Sequence, residues 1–382
     1  MASLTLVSTG CALDLSHLRP GGSDPSPSPS PSPTSFAAQP LLDSSLSQLA
    51  ELSAVHLQGQ FAGPDGAPNE TDLTVTDSGA VSGTMRIAET DVSVVQADSQ
   101  LYLSAADNFW LTQPLYNPDA NTYVDHWVRV RTELLGFDPQ AALTPAKLAE
   151  SLKNMPAQGD ATRERLSGTR AYRVELSDAT VWLAEEEPHR LLRVEAEALA
   201  STGEGGDTAG ASVRAAVNVE EPATEDVQQL YDDMATTAKD EFGSARDARI
   251  EIQSEGADEL YCETGGQCTL TASVTDISSW ESSGSVLVRM DATFTNDSLG
   301  EKSCHVTESL EAGGSVDLAC AIDYALEPST DPTTYEIQAR PKLSTRALGG
   351  NAKDELVASI EKQREATLSG EEPSASSSPS VG

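Results

Sequence analysis

The chain has 382 residues, long enough for two or three domains, and 38% of them are hydrophobic. Sixty acidic residues against 24 basic ones leave a formal charge of −36, which excludes a nucleic-acid partner because no basic stripe exists to displace counterions from phosphates. No apolar run of about 18 residues follows the first few positions, so no internal transmembrane helix is expected.

The first forty residues read as a truncated export signal, a lipobox and a tether. Val7-Ser8-Thr9-Gly10-Cys11 resembles the end of a bacterial lipoprotein signal, in which small residues precede a cysteine that is then acylated. Ten residues precede Cys11, and none is Lys or Arg, so either the signal starts upstream or Cys11 is incidental; the Ser/Pro tract that follows favours the first. Asp24 to Pro33 alternates Ser and Pro. Such a tract is extended at roughly 3.1 Å per residue, about 31 Å in all. A stalk makes physical sense when one end is fixed, and two or three acyl chains on Cys11 hold it, each buried CH₂ contributing ~0.8 kcal/mol.

Leu42, Leu46, Leu49 and Ala50 stand at helical spacing. Alternation then takes over: Val55, Leu57, Gly59 and Phe61; Leu73 and Val75; Met85 and Ile87; Val92 and Val94; Leu101 and Leu103. It returns in Trp127-Val128-Arg129-Val130-Arg131, in Tyr172 to Leu176, on both sides of EEEPHR, and in Val213 to Val219. Turn residues separate these runs, which predicts an antiparallel meander. One helix interrupts it. Thr144 is placed to cap, Pro145 fits the first turn, Leu148, Leu152 and Met155 share a face, and Pro156 ends it. Residues 223–246 are expected as a helical connector, with Val227, Leu230, Tyr231, Met234 and Ala238 on one face. Residues 247–346 change to cysteine pairs and Ser/Thr-rich alternation and predict a β-sandwich. Residues 347–382 hold a further helix, near 352–366, and a tail whose composition predicts disorder.

The order of elements over residues 41–222 carries a resemblance. A strand ends near Gln58-Gly59. The meander DVSVVQADSQLYLSAADNFW, a WVRV strand, the LTPAKLAESL helix, a GTRAYRVEL strand and the EEEPHRLLRVE hairpin follow. Leu101-Tyr102-Leu103, Trp127-Val128 and Pro188-His189-Arg190 are its most distinctive pieces. Over roughly residues 41–220 the chain resembles the LolA-like lipoproteins of actinobacteria, of the LprG/LppX type. The resemblance implies an α+β fold: a curved antiparallel β-sheet, a half-barrel, with helices on the concave side. It also implies that an acylated lipid or glycolipid is carried in the cavity between them. The chain then adds the disulfide-containing β-sandwich.

Four cysteines, Cys262, Cys268, Cys304 and Cys320, cluster in the sandwich. They predict two disulfides in an oxidising compartment. Cys262 and Cys268 enclose ETGGQ, whose two glycines suit a tight loop, and Cys304 and Cys320 bracket a hairpin-like HVTESLEAGGSVDLA, so pairing 262 with 268 and 304 with 320 is the simplest of three connectivities. A zinc site helped by His305 is the alternative, against which the five-residue spacing counts. No HExxH, GxSxG, P-loop or GxGxxG motif occurs, and Asp125-His126 is the only pair that invites a triad reading. Carboxylates are too abundant to be diagnostic. The Asn69 and Asn296 sequons match by pattern alone.

The remaining candidate site is apolar: Val92, Val94, Leu101, Leu103, Val128, Val130, Leu148 and Leu152. Each is either ordinary core or the lining of an acyl-chain cavity, and periodicity treats the two alike. The expectation is a lipid-anchored protein at the outer face of the cell membrane that binds a lipid or glycolipid. It is expected to do so without catalysis, cofactor or metal. The alternative is a cell-surface interaction or structural module with a solidly packed first domain.

Overall fold

Alternating apolar and polar residues put every second side chain on one face of a strand, so each run buries one face against whatever covers it. In the computed structural model, which describes residues 35–113, 115, 123–199, 213–279, 284–327, 331 and 333–370, these runs form an α+β fold dominated by open curved sheets. The N-terminal readings, Cys11 and the Ser/Pro tether among them, and the tail beyond residue 370 lie outside the described residues.

The first sheet has 13 strands. In chain order its elements are β1 (Phe36–Ala37), α1 (Ala38–Ala50), β2 (Ala54–Ala62), β3 (Pro68–Thr76), β4 (Val81–Ile87), β5 (Thr90–Ala97), β6 (Gln100–Ala105), α2 (Asp107–Thr112) and β7 (Val128–Val130). Then come α3 (Pro139–Leu143), α4 (Pro145–Lys153), β8 (Asp160–Leu166), β9 (Thr169–Glu175), β10 (Ala179–Ala184), β11 (Leu191–Leu199), β12 (Val213–Glu220), α5 (Thr224–Asp240) and β13 (Arg246–Asp247). The spatial order is β1-β8-β9-β10-β11-β12-β2-β3-β4-β5-β6-β7-β13, antiparallel except where β13 joins β7. Two short meanders, β8–β12 and β2–β7, are thus stitched together by the β12–β2 pair.

Two strand-interior glycines mark where adjacent strands approach too closely for a side chain. A Cβ on Gly59 (φ +155°) would lie 2.2 Å from the Ala216 carbonyl oxygen, and one on Gly83 (φ +150°) would lie 2.1 Å from that of Asp72. Glycine at such points lets a sheet bend sharply.

Helices α1, α3 and α4 cover the inner face in one large apolar core. The outer face is also covered at one end. There α5 and α6 (Ala352–Ser369) lie together over Ala54, Ala80, Val95, Ala97 and Tyr102. Residues 223–246 are therefore more than a connector, since α5 forms a layer with a helix from the far end of the chain. The Tyr231 hydroxyl locks that layer down, sharing hydrogen bonds with the hydroxyls of Thr76 (2.9 Å), Ser78 (2.7 Å) and Thr367 (3.0 Å).

The sandwich comprises β14 (Ile252–Cys262), β15 (Gln267–Asp276), β16 (Ser285–Asn296), β17 (Gly300–Glu311), β18 (Ser315–Asp323) and β19 (Gln338–Arg346). They form two three-stranded sheets, β14-β15-β18 and β17-β16-β19, closed around Leu270, Val274, Val288, Met290, Phe294 and Leu318. Both disulfides pair locally, 262 with 268 and 304 with 320. The first spans opposite positions of the β14–β15 hairpin. The second corrects the expectation of a hairpin around residues 305–319: β17 pairs with β16 and β18 with β15, so Cys304–Cys320 ties one sheet to the other.

A disulfide stabilises by restricting the unfolded chain, more for longer loops. The Cys304→Ala/Cys320→Ala variant, opening a separation of 16 residues, is expected to lose about 3 kcal/mol. Cys262→Ala/Cys268→Ala, at a separation of 6, is expected to lose about 2 kcal/mol. Urea denaturation midpoints of the two variants check the ordering.

Candidate functional site

The structure brings all eight nominated apolar residues into one core. Val92 and Val94 lie on β5, Leu101 and Leu103 on β6, and Val128 and Val130 on β7. Register sets Val94 opposite Leu103, and Leu103 opposite Val128. Leu148 and Leu152 come down from α4, whose start is fixed as its sequence predicts: the Thr144 hydroxyl accepts from the Lys147 amide, with Pro145 in the first turn. The eight side chains are between 0 and 5% exposed. They are packed against Phe109, Trp110, Leu135, Phe137 and Leu143, which the sequence reading did not nominate.

Those missed residues come from short elements. Helix α2 supplies Phe109 and Trp110, too brief for its periodicity to register. Helix α3 had a legible start, Asp138-Pro139: the Asp138 carboxylate caps the Ala141 amide. It also accepts a 2.9 Å hydrogen bond from the side chain of Gln96, whose own oxygen accepts from the Gln140 amide. Gln96 is fully buried, so the α3 start is clamped to β5 by a satisfied polar pair inside the core.

Next to this core the fold is open. A cavity of about 580 Å³ lies where the β2–β3 turn, the β4–β5 turn and the end of α2 meet. Pro64, Pro68, Ile87 and Leu134 give it an apolar wall, while Gln60, Glu70 and Arg86 give it a polar one. Ile87 and Leu134 also pack directly on the inner core, so the cavity abuts that core without an intervening polar layer. Its volume falls within the range of small-molecule sites.

The chemistry-bearing residues elsewhere are engaged structurally. The Nε2 of His126 lies 3.2 Å from the Arg246 guanidinium. Burial and the charge of Arg346 hold its proton affinity down, against the opposing pull of Asp125, with Lys342 adding a smaller depression. A histidine facing arginine is not oriented by a carboxylate as a triad base is. The four sandwich cysteines are spent in disulfides, which removes them from the zinc alternative. Among the described residues no group of three or more His, Cys, Asp or Glu is arranged to hold a metal ion. Asn69 is buried within β3, and the Asn296 side chain accepts from the Ser298 and Leu299 amides of its own turn while its Nδ2 donates to the Glu336 carbonyl oxygen at 2.7 Å. Two disulfides point to an oxidising, extracytoplasmic environment. No helix among the described residues is long and apolar enough to cross a membrane.

Compared with known proteins, the chain matches no protein-family model, and no curated protein matches its sequence.

Proposed function

We propose that this protein binds a hydrophobic ligand, a lipid or glycolipid, at the extracytoplasmic membrane surface. In this reading Cys11 is acylated and the Ser/Pro tract holds the folded region near the bilayer. The observation that carries the reading is the cavity of about 580 Å³, whose Ile87 and Leu134 wall is continuous with the core under the curved sheet. The LolA-like resemblance over residues 41–220 agrees with it. No covalent step is involved. The driving force is removal of acyl surface from water, ~25 cal/mol per Å². An acyl chain seats first at this cavity. Going deeper requires α2 or α4 to lift from the sheet, because the side chains beneath are closed over one another.

The test is native mass spectrometry with lipid extraction on the chain exported from a Gram-positive host and purified without detergent. A stoichiometric co-purifying lipid is expected. Leu134→Trp, which fills the cavity, is expected to cut its occupancy about tenfold, equivalent to ~1.4 kcal/mol. A bare protein mass that stays unchanged after incubation with host lipids overturns the reading. It then favours the second one, a non-enzymatic surface interaction module, for which the near-complete burial of the eight core residues already speaks.

A further inference from the structure

The outer face of the first sheet carries a row of polar and planar side chains in direct register across six strands. Trp182, Arg193, Asn218, Gln58, Asp72 and Thr84 stand opposite one another in turn on β10, β11, β12, β2, β3 and β4. A solvated antiparallel face is ordinarily polar, so the row alone means little. Two further features distinguish this one.

First, the face is hollowed. A trough of about 600 Å³ lies over β2–β4, flanked by Arg193 on one side and Asp91 on the other. From β11 to β5 it crosses about 24 Å at ~4.8 Å per strand.

Second, its groups are only partly consumed by each other: Gln58 donates to the Asp72 carboxylate at 3.3 Å, and His56 Nε2 lies 3.4 Å from the same carboxylate. Arg86 stands in register with both Glu70 and Asp91, yet among the described residues none of these three side chains, nor that of Gln60, makes a hydrogen bond or ion pair. Arg193, by contrast, is held in place: it bonds Asn218 at 2.9 Å and Glu195 at 2.8 Å and lies over the Trp182 ring.

The geometry points to a binding site on this trough for an uncharged, polyhydroxylated chain, a neutral oligosaccharide. Amide, carboxylate and guanidinium groups side by side offer donors and acceptors in alternation. Hydroxyl groups, each both donor and acceptor, complement that mixture. Three carboxylates, Glu70, Asp72 and Asp91, against two guanidinium groups, Arg86 and Arg193, leave the trough slightly negative on a chain of charge −36, which turns away polyanions. Apolar ligands find no exposed aliphatic or aromatic row there. An extended peptide would look for a free strand edge, and this is a sheet face. The site goes beyond the lipid reading and does not depend on it.

The experiment titrates the full chain with maltohexaose, cellohexaose, mannohexaose and chitohexaose, with hexagalacturonate as the anionic comparison. The readout is the side-chain amide signals, by nuclear magnetic resonance, of Gln58, which lines the trough and not the lipid cavity, and of Gln60, which lines both. One neutral hexasaccharide is expected to shift them saturably. Asp72→Ala and Asp91→Ala are each expected to weaken that binding about tenfold, the effect of losing a hydrogen bond to a charged group, with the melting temperature unchanged. Thr84→Trp, which fills the trough, is expected to abolish it. Asp72 and Asp91 lie outside the cavity of the lipid reading, so lipid occupancy followed in the same variants separates failure of one reading from failure of the other. The proposal is overturned if no neutral sugar moves these signals at about 10 mM, where even a Kd of about 1 mM would give near-saturation. It is equally overturned if the shifts survive in the Asp72→Ala/Asp91→Ala variant, or if hexagalacturonate binds as well as the neutral sugars.

Discussion

Val94→Trp is expected to destabilise the protein by about 3 kcal/mol or more, because inserting a large ring into a filled core forces neighbouring side chains off their rotamers. Val94 is 1% exposed on the inner face of β5, with Leu103 opposite it on β6 and the α3–α4 layer above. This substitution separates a closed core from a lined cavity beneath the helices. In a closed core the urea midpoint falls and lipid occupancy at the Ile87–Leu134 cavity changes only through lost stability. In a lined cavity the ring occupies the acyl path, the midpoint stays near that of the parent, and bound lipid disappears from the native mass spectrum. The packing of Phe109, Trp110 and Phe137 around the same residues leads us to expect the first outcome.

Asp247→Ala is expected to cost about 3–5 kcal/mol, the usual effect of removing one partner from a buried ion pair. Asp247 is fully buried where the first sheet passes into the sandwich. Its carboxylate takes Nε and Nη2 of Arg249 at 2.7–3.1 Å, and its backbone amide donates to the Thr345 hydroxyl on β19. Arg129, on the facing strand β7, is buried enough to lower its proton affinity, and Arg249 lowers it further, while Asp247 works in the other direction. In the variant the Asp247 carboxylate no longer offsets the repulsion between the two guanidinium groups. Urea denaturation measures the loss. Limited proteolysis is expected to cut the link around residues 246–250 in this variant and to spare it in the parent. Replacing Arg249 by Met in the same chain is expected to return part of the stability, since it removes the stranded charge. A parent-like midpoint for Asp247→Ala would show that the join rests on backbone pairing alone.

Much of the first sheet was legible because its information is local. Two-residue alternation located β2–β6 and β9–β12 to within a few positions. Thr144-Pro145 started α4, and the glycines between Cys262 and Cys268 announced a tight loop. Some signals were present and unread. Val94-Val95 breaks the alternation because both faces of β5 are buried, Val94 under the inner helices and Val95 under α5 and α6. Asp138-Pro139 marked α3 in the same way that Thr144-Pro145 marked α4.

By itself, then, the sequence determined the strand periods, the capped helices, the clustered cysteines and a strongly acidic composition. Tertiary structure alone decided that β12 pairs with β2, that α5 and α6 share a layer over the outer face, and that Cys304 and Cys320 staple two sheets rather than two strands of a hairpin. It alone decided that the eight apolar residues close over one another beside an open cavity, and that the Arg86 side chain, in the trough, has no ion-pair partner among the described residues. The physical reason is the same in each case. A residue's period records which face is removed from water, and burial by a helix, a second sheet or a ligand demands the same apolar side chain. The identity of the covering element is fixed only by contacts between residues far apart in the chain.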